Sequence, residues 1–284
     1  MYTKKTLQIS LKDLQSRTMF RYAMKIFIAL VMWTFCNKAF AQATVAPVSD
    51  FQEAMAAYKK QDFDSAKLLL TKFLQNTPSS EAYFDLGLVE FETKHTGAAV
   101  ANWRKALQLD PQNQMALDSL HSVLKKLDHP ELNRQSDSFE IFREQFLNQV
   151  KIEYLFLLTA LLFVLDSWLF ISYLGERKRS REQELAAPRP AWLAGIILIF
   201  FMLSLGLSGA KIYDLSQARA TVLPTKIEVL SAPDPSSTSL FDLFEGLEVI
   251  VQEAQGEFYQ VSFPGGMTGW TLKKNLMITA GSEP

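Results

Sequence analysis

The side chains able to do chemistry are few and scattered along this chain. The histidines are His95, His121 and His129, the last two eight residues apart, and no carboxylate joins them at metal-ligand spacing. Solvated or helix-capping positions suit them better. The single cysteine, Cys36, falls in an apolar run near the N-terminus. If that run is a cleaved signal, disulfides, thiol nucleophiles and cysteine-based zinc sites are excluded. No phosphate-binding glycine loop and no G-x-S-x-G turn occurs, and Gly256 and Gly265-Gly266 read as turns. The formal net charge is −1, and basic residues cluster only between Arg177 and Arg189, which argues against a nucleic-acid partner. These absences favour a non-enzymatic chain with no metal and no cofactor.

One titratable residue stands out. Asp166 is the only charge in the apolar run Tyr154–Leu174. A carboxylate at the centre of a membrane span costs roughly 2.5–3.5 kcal/mol by insertion scales and needs a partner or a proton. The next apolar run offers Ser204, Gly206, Ser208 and Ala210 at small-xxx-small spacing, which permits close helix approach. A hairpin with Asp166 hydrogen-bonded to Ser204, with Ser208 beside it, is one reading. A polar contact to another membrane protein is a second, and a proton or ion path is a third.

Three apolar runs place these groups. Ile26–Phe35 follows Arg21 and Lys25 and precedes Ala39-Phe40-Ala41, the pattern of a secretory signal cleaved after Ala41. A start at Met24 or Met19 would give an ordinary signal and leave residues 1–23 untranslated; an uncleaved anchor is the alternative. Residues 154–174 and 191–210 are each about 30 Å long as helices and match a bilayer core. Arg177, Lys178, Arg179, Arg181 and Arg189 make the loop 175–190 cytoplasmic by the positive-inside rule. The signal sends the other end outward, so residues 42–152 and 212–284 share the outer, periplasmic side of a bacterial inner membrane. Tyr154, Tyr173, Trp192 and Tyr213 fall at the predicted interfaces.

Residues 42–127 read as a helical domain with an internal repeat. Ala66 to Pro78 and Ala99 to Pro111 both span twelve residues, and the two units are offset by 33. With Leu86-Gly87, Ala54, Trp103 and Ala106, this resembles the tetratricopeptide repeat, in which short side chains stand where helices cross. Met115–Leu127 reads as a capping helix. Within 128–152, Phe139, Phe142, Phe146 and Val150 make one apolar stripe, so an amphipathic helix over Ser136–Val150 packs on the repeats or lies on the membrane. The resemblance implies a concave peptide-binding groove lined by Phe51, Met55, Tyr58, Phe84, Leu88 and Phe91. The same residues would serve equally as core.

Residues 220–284 alternate over Lys226–Ser231 and Glu248–Glu253, with turns at Pro233–Ser237, Gln255-Gly256 and Pro264–Gly266. Short strands in so few residues predict a small all-β barrel. Val229–Pro233, Leu243–Gly246 and Gly269-Trp270 resemble bacterial SH3-like domains, with Phe258 where many members carry Trp. The fold class is therefore multidomain: an all-α tetratricopeptide repeat, a two-helix transmembrane hairpin and an all-β barrel. That order resembles the BatE-type proteins of bacterial aerotolerance operons. The resemblance implies a scaffold or adaptor in an envelope stress complex, with the bilayer, von Willebrand A-type membrane proteins and a MoxR-type ATPase as partners. A peptidoglycan sensor using the SH3-like domain is the alternative.

Overall fold

The alanines and caps of the repeat dictate the helices. The computed structural model describes residues 48–127, 138–186, 192–263 and 266–283; the signal segment and its cleavage pattern lie outside them. α1 (Val48–Lys59), α2 (Phe63–Asn76), α3 (Ser80–Glu92), α4 (Thr96–Leu109) and α5 (Gln114–Lys126) follow one another as short helices. Asp62, Ser79 and Asn113 each accept a hydrogen bond from a backbone N–H three residues on, which caps α2, α3 and α5. Ala54, Ala66, Ala99, Ala106 and Ala116 are fully buried. Close helix approach needs such short side chains. A Cβ at Gly87 would strike the Trp103 indole, whose Nε1–H donates to the Phe84 carbonyl at 3.2 Å.

α6 (Ser138–Gln145) is shorter than the apolar stripe predicts; a 3-10 turn over Leu147–Gln149 replaces its last part. α7 (Ile152–Glu182) and α8 (Trp192–Ser216) form an antiparallel pair, each long and apolar enough to cross a membrane. Both outrun the predicted spans. α7 carries Arg177, Lys178, Arg179 and Arg181 as a helical extension rather than as loop, because these are good helix formers.

Strands β1 (Ala218–Val222), β2 (Lys226–Leu230), β3 (Ser239–Phe244), β4 (Glu248–Gln255), β5 (Phe258–Phe263), β6 (Met267–Leu272) and β7 (Leu276–Ala280) follow. They make one antiparallel sheet in the order β3-β2-β6-β5-β4-β1-β7. The alternation read in the sequence is the pleat: Ile227 and Val229 on β2, and Val249 and Val251 on β4, point into the core. Only Gln217 separates α8 from β1, so the last apolar helix runs straight into the sheet.

Candidate functional site: a buried ionic junction

The helical domain does not hang free of the β-domain. Gly97, near the start of α4, lies against the backbone carbonyls of Val222 and Leu223; a Cβ there would collide with both. Gly246, with φ +76°, lies under Leu127, Val100 and Leu124. Glycine is needed at Gly246 for its backbone angle and at Gly97 for the close approach.

One turn beyond Ala101, α4 presents Arg104 to the sheet. Its Nη1 donates to Thr221 Oγ1 on β1 at 2.6 Å, and its Nε stands 3.8 Å from Glu248 Oε1 on β4. Arg143, from α6, donates Nη2 to Glu248 Oε2 at 2.8 Å and brings Nε to 3.9 Å from Asp214 Oδ1 on α8. Arg219, on β1, spans the same two acids, at 3.3 Å from Asp214 Oδ1 and 3.7 Å from Glu248 Oε2. Lys211, one turn before Asp214, donates to the Leu147 carbonyl at 2.7 Å. Arg143, Lys211, Asp214, Arg219 and Thr221 are all buried.

Burial alone would push the Glu248 carboxyl up. Arg104, Arg143 and Arg219 together outweigh it and hold Glu248 below the usual carboxylate range. Glu248 and Asp214 thus join four segments: α4, α6, the C-terminal end of α8 and the sheet. The cluster is a set of matched, buried charges. Its chemistry is mechanical, because buried charges must stay matched and so fix one geometry. Asp110 to Lys151, 2.8 Å apart, adds a more exposed tie between the end of α4 and the residue before α7.

The predicted site residues fall elsewhere. Phe84 is buried in the core around Trp103, because it stands where α3 and α4 cross. Phe51, Met55 and Tyr58 are half-buried against the first core cluster, with Phe51 on Phe73 at 5.5 Å and Tyr58 on Phe63 at 5.7 Å. Leu88 is half-buried, and Phe91 is exposed, its ring 5.9 Å from Trp103. Asp85, one helical turn from Leu88, belongs to no motif in the sequence; burial and then the charge of Glu81 push its carboxyl up to about 6. α6 does not cover this face, since Phe139 packs edge-on to Tyr213 at 5.7 Å.

Within the hairpin, Ser204 and Ser208 are brought together, but by Thr159: its hydroxyl lies 2.6 Å from Ser204 Oγ and 3.2 Å from Ser208 Oγ. Asp166 is half-buried in α7 and has no hydrogen bond among the described residues. The antiparallel register explains this. Phe163 faces Phe201 at 5.7 Å, so position 166 is level with about position 198, some 9 Å of helix short of Ser204. Among the described residues, no three metal-ligating side chains converge. No family model matches this chain, and no curated protein does.

Proposed function

We propose that this chain is a non-enzymatic membrane scaffold that presents a helical repeat domain and a β-domain as one rigid body on the outer face of a bacterial inner membrane. The observation that carries this reading is the buried ionic junction, which locks repeat helix, sheet and the outer end of α8 together. A free-swinging tether would not need it. In this reading the helical domain is of the tetratricopeptide type and the β-domain is SH3-like. Both domains are periplasmic, and the helical tip with Arg177, Lys178, Arg179 and Arg181 is cytoplasmic. The half-open face around Met55, Tyr58, Leu88 and Phe91 takes a protein partner, and the BatE-type resemblance points to membrane-bound von Willebrand A-type proteins and a MoxR-type ATPase.

Crosslinking in intact cells, followed by identification of the captured proteins, tests the role. Phe91→Ser, at a position 38% exposed, should remove capture by at least tenfold while the domain still melts cooperatively, with a modest fall in melting temperature from the lost contact with Trp103. Capture that survives this change, or a catalytic activity that copurifies with the chain, would overturn the reading. Cysteines at Ser122 and Ser282 should label from the outer side, and one at Glu184 should not.

A further inference from the structure

A cleft of about 270 Å³ separates the helical domain from the sheet edge. Its walls include Tyr83, Lys105, Gln108 and Leu109 on one side, and Ile278 to Gly281 of the edge strand β7 on the other. Lys105 is half-buried, and its ammonium lies 5.5 Å above the Tyr83 ring. Among the described residues no carboxylate comes within ion-pair distance of it. Asp110, five residues on, is held by Lys151. Burial without a counter-charge pulls the Lys105 pKa down, so the site favours an anion that would restore it.

The location narrows the source of that anion. One end of the cleft, at Leu109, adjoins Asp110, which is bridged to Lys151 at the entry to α7. The other end, at Gly281, packs on the backbone of Gln217, the residue after α8. Both flanks therefore touch the points where the chain leaves the two apolar helices, which is the headgroup level of a bilayer that they span. Leu109 is 45% exposed at the rim, and Phe146, shortly before α7, and Tyr213, in the last turn of α8, are exposed too. A lysine that binds phosphate with apolar side chains beside it suits an amphipathic ligand.

We propose that the cleft between α4 and β7 holds the headgroup of an anionic membrane phospholipid, with its phosphate on Lys105 and its acyl end against Leu109. A lone ammonium offers nothing to the cation of a zwitterionic headgroup, so the site discriminates by net charge. The inference rests on the membrane-spanning reading of α7 and α8.

The test uses the full chain in neutral detergent, titrated with phosphatidylglycerol, with phosphatidylcholine or with inorganic phosphate, and bound species are counted by native mass spectrometry. One phosphatidylglycerol should be retained about tenfold more tightly than phosphatidylcholine. Lys105→Gln should abolish that preference, and Lys105→Arg should keep it. Gln108→Glu, which adds a carboxylate at an exposed lining position, should act like Lys105→Gln even if the latter folds poorly. Lys125→Gln, outside the cleft, should change nothing. Unaltered selectivity in both Lys105→Gln and Gln108→Glu would overturn the proposal. So would inorganic phosphate binding as tightly as the lipid, which would make the cleft a site for a soluble anion. Carbonate extraction of cell membranes tests the anchoring separately, so lost selectivity in a chain that stays in the membrane counts against the cleft alone.

Discussion

Glu248→Gln is the sharpest probe of the junction. The change is nearly isosteric and removes one negative charge that Arg104, Arg143 and Arg219 share at 3.8, 2.8 and 3.7 Å. Stripping one partner from a buried charge pair costs about 3–5 kcal/mol, because the remaining charges stay desolvated. The Glu248 side chain keeps 21% of its exposure, which favours the lower end, about 3 kcal/mol. If that energy holds the helical domain on the sheet, undocking becomes roughly 100-fold more frequent. Thr221 is fully buried at this contact, so Thr221→Cys in a Cys36→Ser background reports opening through its labelling rate. The expected result is labelling faster by about two decades in Glu248→Gln. Glu228→Gln, on an exposed position of β2, should have no effect. Adding Arg143→Met should restore part of the protection, since the cluster then loses one cation along with one acid. An acceleration below threefold would refute the idea that this cluster holds the domains together.

Other outcomes follow from the same geometry. Glu248 has a depressed pKa, so its contribution is present above the ordinary glutamate value near 4.3 and is lost as the pH falls below that; undocking, followed by small-angle X-ray scattering, should appear only in strong acid. Asp85 has the opposite sign: a carboxyl raised to about 6 favours folding fully below about pH 4, and that help is lost as pH rises through 6. Asp85→Asn should therefore stabilise the helical domain at pH 7 by roughly 1–2 kcal/mol, discounted for partial exposure, and by nothing at pH 4 in a denaturant titration. Gly97→Ala should separate the domains while the helices keep their circular dichroism, because the clash is with sheet backbone; Gly87→Ala should instead lower the melting temperature of the helices by displacing Trp103. In the hairpin, Thr159→Val should loosen helix association by about 0.6–1.7 kcal/mol in detergent unfolding, whereas Asp166→Leu should not weaken it, since no intrahairpin bond is lost.

Features with a local period were legible in the sequence. The alanines at 66 and 99 and the prolines twelve residues beyond announced two helix pairs, and the valines of β2 and β4 announced their buried faces. The apolar runs marked both long helices, although basic helix formers carried α7 past its apolar part. The junction had no such signal. Arg104, Arg143, Asp214, Arg219 and Glu248 are scattered over 145 residues, and each alone reads as a solvated surface charge. The hint available was Gly97, a glycine in the first turn of a helix with no turn to make. A hydrogen bond from Asp166 to Ser204, one of three readings its residue type allows, needs a register that sequence spacing does not specify, and the observed register does not bring them together. Thr159, a neutral residue in an apolar run, carries no sequence signal, yet it is the one that reaches the serines.

The single residue between α8 and β1 has a further consequence. α8 has 25 residues, about 37 Å of stiff rod, welded at its end to the sheet through Asp214 and Arg219. Helices answer a thinner or thicker bilayer by tilting. A tilt of about 10° about the N-terminal end of α8 carries its C-terminal end some 6 Å sideways by simple lever geometry on that rise. With no slack at Gln217, the β-domain and the repeat helices ionically bound to it travel as the head of that lever. If α8 spans a bilayer as proposed, bilayer thickness thereby sets where the face around Phe91 points.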